Sequence, residues 1–199
     1  MPAPTIYYIR HGETSWNAEG RLQGTLDIPL NELGRKQAVH AGNILGELLV
    51  RDGHDKRTIP FVASPLGRAR MTMDLVREML DLPPDGYAID DRLREIGYGR
   101  WEGSTLAEIR AKDPELFAKR ATEKWTMAAP AGESYAAVQV RMQGWYDSLK
   151  GDIVTVAHGG TCRALMVALG HETPESASGL YIEQGTVYVF GDGTLKKYS

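Results

Sequence analysis

Two stretches of the chain place reactive groups in the same setting. "IYYIRHGE" (Ile6–Glu13) and "IVTVAHGG" (Ile153–Gly160) each run a short apolar segment straight into a histidine and a glycine. Short apolar runs rich in β-branched and aromatic residues read as buried strands. His11 and His158 then stand at strand ends, with Arg10 directly before His11. Further candidates follow other strand-like runs: Ser64 and Arg68 after "IPFVA" (Ile59–Ala63), and Glu95 after Tyr87–Leu93. In open α/β sheets ligands bind beyond the carboxyl ends of the strands. Two histidines, two arginines and a carboxylate thus converge on one sheet edge.

The set has a coherent chemistry. Two arginines present forked donors that suit the oxygens of a phosphate. Helix N-termini expected after Ser64 and Gly159 add backbone N–H groups and positive dipole ends. Positive surroundings disfavour an imidazolium, so a histidine among them is neutral near pH 7, with one ring nitrogen free as a nucleophile. The second histidine, if protonated, can stabilise charge on transferring phosphoryl oxygens. Glu95 can protonate a leaving alkoxide and then deprotonate a water. Together these imply phosphoryl transfer through a phosphohistidine, with no metal and no cofactor. Singly, each residue has a plainer reading: a satisfied structural histidine, a helix-face arginine, a surface carboxylate. Two histidines could also ligate a metal, but no HxxxH or HExxH pair occurs and no second carboxylate is obviously placed beside them. Joint occurrence at successive strand ends is what weighs against these readings.

The elements that must position these groups alternate. Strands are expected at Ile6–Ile9, Ile59–Ala63, Tyr87–Leu93, Ile153–Ala157 and Thr186–Phe190, with an edge strand at Leu195–Tyr198. Asn31–Val50 follows a helical pattern with Leu33, Ala38, Ala41, Ile44, Leu45, Leu48 and Leu49 on one face and Asn31 as cap. Ser64-Pro65 offers an N-cap and a first-turn proline for a helix to about Leu80. Glu133–Lys150 and Thr161–Leu169 are further helices, the latter ending at Gly170. Residues 11–30 read as a long loop. Residues 96–132 differ in texture, with early Gly and Trp and two short helix candidates, and read as an inserted lid. This alternation predicts an α/β fold, a three-layer α/β/α sandwich around a mostly parallel central sheet.

"RHGETSWN", "GRLQGTLDIPLNELGRKQA", "ASPLGRARMTMD", "LREIGYGRWEG" and "VAHGGTCRAL", in that order, resemble the histidine phosphatase superfamily, the phosphoglycerate-mutase-like family. The likeness runs from about Thr5 to Leu165. It implies one domain over residues 1–199. By matching position, it implies that His11 is the nucleophile, that Arg10, Arg68 and His158 form the phosphate pocket, and that Glu95 is the proton donor. Asn17 and the backbone of Gly159 match positions that support the phosphate, and Gln23 and Gly24 match a loop bordering the pocket. Glu13 completes "RHGE" and reads as a structural carboxylate behind the site. Tyr98 reads either as a substrate contact or as an aromatic packed under the lid.

Phosphatases and mutases of this family share the pocket and differ in where the phosphoryl group goes. Mutases typically carry a lysine where this chain has Leu106, and "TG" where it has Gln23-Gly24. "GRWEG" (Gly99–Gly103) and "PAGES" (Pro130–Ser134) resemble the phosphatase branch, including α-ribazole phosphatase-like and broad-specificity members. The expected reaction is hydrolysis of a small phosphorylated metabolite; the alternatives are a bisphosphoglycerate-dependent mutase and a regulatory module without catalysis. Lys119, Arg120 and Lys124 could clamp a substrate, but their spacing suits a solvated helix face equally well. Trp101 and Trp125 read as lid core.

Composition narrows the partners. The chain has 199 residues, 42% hydrophobic, with a net charge of −3. Lys and Arg are spread out, so neither a nucleic-acid footprint nor a basic membrane-binding cluster is expected. Cys162 is alone, which fits a reducing compartment. No long apolar run and no signal-peptide pattern is present, so a cytoplasmic monomer or homodimer is expected.

Overall fold

The structure, a computed structural model, describes residues 3–199. In chain order its elements are β1 (Ile6–Arg10), α1 (Ser15–Ala18), α2 (Glu32–Arg51), β2 (Phe61–Ala63), α3 (Gly67–Met79), β3 (Ala88–Ile89), α4 (Leu106–Lys112), α5 (Pro114–Thr122), α6 (Tyr135–Asp147), β4 (Ile153–Ala157), α7 (Gly159–Ala168), α8 (Pro174–Gly179), β5 (Val187–Gly191) and β6 (Thr194–Tyr198). The strands form one sheet in the order β3-β2-β4-β1-β5-β6. β3, β2, β4 and β1 run parallel, while β5 pairs antiparallel with both β1 and β6.

Strand alternation divides the core. Ile6, Tyr8, Ile153 and Ala157 face one layer, which holds Val138, Met142 and Trp145 of α6 and Ala164 and Leu165 of α7. Tyr7, Ile9, Val154 and Val156 face the other, against Leu45, Leu48 and Leu49 of α2 and Met73 and Val76 of α3. β1 and β4 are therefore apolar on both faces, as central parallel strands require. Each fully buried leucine contributes about 2 kcal/mol. This is the expected mixed α/β fold, with helices on both sides of the sheet.

Several boundaries differ from the sequence reading. Leu33 is 50% exposed and leaves the apolar face of α2, because the first turn of that helix leans on the loop after β1 rather than on the sheet. Ile59–Ala63 shortens to Phe61–Ala63 and Tyr87–Leu93 to Ala88–Ile89. After Ile89 the Asp90 carboxylate accepts from Arg92 N and turns the chain into a 3-10 helix at Asp91–Leu93. The loop after β1 holds the four-residue α1, begun by a Thr14–Asn17 capping box. Ser64-Pro65 does not start α3. The Ser64 hydroxyl is turned toward His158, and Asp27 caps the helix from a distant loop: its carboxylate accepts from Gly67 N at 2.7 Å and from Arg68 N at 3.3 Å. Residues 99–129 carry α4, α5 and a small apolar cluster of their own around Trp101, Ile109 and Ala129.

Candidate active site

The sheet ladder runs one residue past β1 and β2, on either side of β4. His11 N donates to Ala157 O at 2.9 Å, and Ser64 N donates to Val156 O at 3.0 Å. His11, His158 and Ser64 therefore lie side by side at the carboxyl edge, in the strand order β1-β4-β2. The two imidazole centroids are 5.2 Å apart. The backbone of His158 is pinned from below, because the Tyr8 hydroxyl donates to its carbonyl at 2.7 Å and receives its N–H at 3.1 Å.

His11 is buried and its Nδ1 lies 2.7 Å from Gly12 O. A carbonyl can only accept, so Nδ1 carries the proton. Burial first, then Arg68 and Arg10, holds the ring well below the usual histidine pKa. The neutral ring thus has its lone pair on Nε2, as a nucleophile needs. His158 is also buried and held well below its usual value, by burial first, then by Arg68, His11, Arg10 and Arg141. Its Nε2 lies 2.7 Å from Ser64 Oγ, and its Nδ1 has no partner. Arg10 donates to Ile182 O, and Arg68 donates to Gly24 O at 2.8 Å and Leu26 O at 2.6 Å. Those bonds tie the flanking loops and leave Nε of each arginine buried and unpartnered. Three buried groups without partners, on two arginines that act on His11 and on the neighbouring imidazole, are of the kind a tetrahedral oxyanion satisfies.

Glu95 closes the site from the loop after β3. Leu93 and Ile96, both fully buried, anchor its two sides. Its carboxylate accepts from Ile96 N at 2.9 Å and from Gly160 N, in the first turn of α7, at 3.2 Å. A Cβ on Gly160 would lie 2.3 Å from Glu95 Oε1, so only glycine lets the carboxylate sit there.

The other sequence candidates lie at varying depth. Gly159 borders Arg10 Nε, 3.5 Å from where its Cβ would be. Gly24 sits at φ +54°, left-handed backbone that glycine takes without strain, and aims its carbonyl at Arg68. Gln23 is buried with Oε1 unpartnered. Asn17 Oδ1 accepts from Thr14 N and from Gln184 Nε2, each at 3.1 Å, so its carbonyl end is engaged in local structure. Tyr98 is half-buried, and its hydroxyl is held well above the usual tyrosine value by burial, then by Tyr135 and Glu95. Lys119 is solvated as its spacing predicts, whereas Arg120 is buried and Lys124 half-buried.

The profile of the histidine phosphatase superfamily, branch 1, matches residues 6–192. The chain belongs to the histidine phosphatase superfamily. Its relatives within it include a glucosyl-3-phosphoglycerate phosphatase of Mycobacterium tuberculosis, 36% identical over 183 residues that cover 85% of this chain and 76% of the relative. A 2,3-bisphosphoglycerate-dependent phosphoglycerate mutase of Gloeobacter violaceus is 31% identical, covering 96% and 89%. Among solved structures, an α-ribazole phosphatase from Shigella flexneri superposes with a TM-score of 0.78 at 26% identity, covering 96% and 93% of the two chains.

In this histidine phosphatase, three residues beside the pocket escaped the sequence reading, and a fourth, Ser64, has a different role from the one expected. Ser64, expected at the strand end and as a helix cap, instead turns its hydroxyl to His158 Nε2. Thr72 Oγ1 receives Gly12 N at 3.0 Å and fixes the turn after His11. Arg141 Nη1 donates to Arg92 O at 2.6 Å and Arg94 O at 2.7 Å, holding the Glu95 loop. Arg163 donates to Tyr135 Oη at 3.1 Å and borders Gly159. Arg163 had a signal, because it follows Gly159 by four residues, one helical turn.

The depressed histidines make folding pH-dependent. Unfolding returns both rings to an ordinary pKa near 6.5. Below that pH the unfolded chain binds more protons than the folded one. Stability is therefore full above about pH 6.5 and falls as pH drops toward the folded values. With both rings contributing, the pH dependence is steeper than a single buried histidine would give. Urea midpoints in phosphate-free buffer at pH 7.5 and 5.5 measure it. His158→Gln should flatten the dependence, and a profile unchanged by that substitution would contradict the assignment.

Proposed function

We propose that this chain is a metal-independent phosphomonoester hydrolase acting through a phosphohistidine at His11. The observation that carries the reading is the His11 tautomer, with Nδ1–H tied to Gly12 O and Nε2 left free in the field of Arg68 and Arg10. Nε2 attacks phosphorus as the ester P–O bond breaks. The Nε of Arg10, the Nε of Arg68 and Nδ1 of His158 donate to the phosphoryl oxygens as charge shifts onto them. His158 serves without a net charge, since Ser64 O–H can donate to its Nε2 and leave Nδ1–H for the phosphoryl group. Glu95 delivers a proton to the departing alkoxide and takes one from the water that then attacks the N–P bond. Asn17, Gln23, Gly24 and the backbone of Gly159 border the phosphoryl site, and residues 96–132 form a lid whose Tyr98 faces the leaving group. A lone Cys162, buried and with its thiol pushed up by burial, fits a reducing cytoplasm.

Hydrolysis is favoured over mutase chemistry by Leu106, which is 55% exposed where a mutase carries a cation for its substrate. Purified protein should hydrolyse p-nitrophenyl phosphate and keep that activity in EDTA. With 3-phosphoglycerate and a bisphosphoglycerate primer it should release inorganic phosphate and form little 2-phosphoglycerate. Rapid interconversion would assign it to the mutases, and loss of activity in EDTA would require a metal.

A further inference from the structure

Arg120 is the largest feature the phosphoryl chemistry leaves unused. It lies near the end of α5, where spacing predicts a solvated cation, yet it is only 7% exposed. Its Nε and Nη2 are buried without partners. Those two nitrogens form the side-on fork of a guanidinium, the edge whose parallel N–H groups match both oxygens of a carboxylate. The guanidinium carbon is 5.7 Å from the ring centroids of both Tyr98 and Trp101. The rings hold it in place and supply no acceptor.

Its surroundings are cationic. Lys124 donates to Ser178 O, and its ammonium is held below the usual lysine range by burial, then Arg163, then Arg120. Arg163 leads back to the phosphoryl pocket. Its Nη1 is 3.6 Å from where a Gly159 Cβ would lie, a point Arg10 Nε approaches to 3.5 Å. A run of cations thus extends from Arg10 through Arg163 and Lys124 to Arg120, and Glu95 is the carboxylate that faces it. A phosphate dianion engages the inner end of this run and leaves the outer end unanswered.

We infer that Arg120, with Lys124, is a specificity-determining subsite for a carboxylate on the leaving-group side of the substrate. The inference rests on the phosphomonoesterase reading of the same site. The substrate class is then a phosphorylated hydroxy acid rather than a neutral sugar or alcohol phosphate. The leaving alcohol departs carrying that carboxylate, and Arg120 releases it when the lid opens.

The test uses two substrate pairs that differ only in carboxylate against hydroxymethyl: 3-phosphoglycerate with glycerol 3-phosphate, and 6-phosphogluconate with sorbitol 6-phosphate. Wild type should favour the carboxylate member of at least one pair by about 10- to 100-fold in kcat/KM, as expected for a charged, bidentate contact. Arg120→Met should remove that preference, mainly through a rise in KM for the carboxylate member at least about 10-fold larger than any change for the neutral member; Arg120→Lys should restore part of it. Lys124→Met, at a half-exposed position, gives a second reading of the same ratio. Equal losses on both members would make Arg120 a structural residue and overturn the subsite, as would a wild type that discriminates in neither pair. His11→Ala that still hydrolyses glycerol 3-phosphate would instead overturn the phosphohistidine and leave the ratio to be read separately.

Discussion

His11→Ala is expected to lower kcat for p-nitrophenyl phosphate by about 10⁴-fold or more, the scale seen when a covalent nucleophile is removed. His11 is fixed by its neighbours on every side. Its N–H is locked to β4 at 2.9 Å, Nδ1 is held on Gly12 O at 2.7 Å, and Gly12 N is held by Thr72. His158, the neighbouring imidazole, has its Nε2 engaged with Ser64, and its unpartnered Nδ1 serves as a donor when Ser64 O–H donates to Nε2. The variant should fold, because alanine removes a ring that burial already penalises when protonated. Its stability should also depend less on pH below 6.5 than that of wild type. Thermal unfolding alongside the kinetics separates loss of chemistry from loss of fold. A folded variant retaining activity within about tenfold of wild type would remove His11 from the reaction.

The second large effect is expected from Gly34→Ala, a residue that touches no reacting atom. A Cβ on Gly34 would lie 2.1 Å from Glu13 O, and one on Gly12 would lie 2.1 Å from Gly34 O. The first turn of α2 is seated on the loop that follows His11. Asn31 N donates to Glu13 O at 2.9 Å, Asn31 Nδ2 donates to the Glu13 carboxylate at 2.8 Å, and Glu13 N donates to Gln37 Oε1 at 2.8 Å. Backbone meets backbone there, so a methyl group can be admitted only by moving the turn that holds the His11 imidazole. The expected cost is about 3 kcal/mol of stability, a drop in Tm of about 6–12 °C. Displacing the nucleophile by about 1 Å should lower kcat about 10²-fold. Gly144→Ala is the internal control. Gly144 sits exposed within α6 with nothing near its Cβ position, so alanine there should stabilise by about 0.5–1 kcal/mol and leave kcat unchanged. Gly34→Ala with wild-type kcat would show that the contact sets stability alone.

The parts of the molecule legible in the sequence were those written locally. β1 and β4 are apolar on both faces and stop at a histidine, so both strands and the two residues they deliver could be read from the chain itself. Asn31 as the cap of α2 and Gly170 beyond α7 are likewise short-range signals. Contacts across long separations were not legible. Asp27 caps α3 from forty residues upstream, as the bond from Gly67 N shows, and thereby releases Ser64 toward His158. Gly160 is glycine because of Glu95, which arrives from another loop. Leu33 kept the helical period of α2 and still turned to solvent. Arg120 shows the limit most sharply: periodicity gives a residue's face on its own helix, not what other elements bring over that face. Two aromatic rings from outside α5 cover it, and no local pattern encodes them.

The most direct measurement is to catch the phosphoryl group on the protein. Enzyme mixed with p-nitrophenyl phosphate would be quenched in alkaline denaturant, which preserves phosphohistidine, then digested and sequenced by mass spectrometry. Glu95→Gln, which weakens activation of the attacking water, should raise the trapped fraction. The predicted result is a phosphoryl group on the peptide containing Thr5–Asn17, localised to His11 and absent from His11→Ala. Full turnover with no labelled peptide in either protein, or a label on a serine or on His158 instead, would contradict the mechanism.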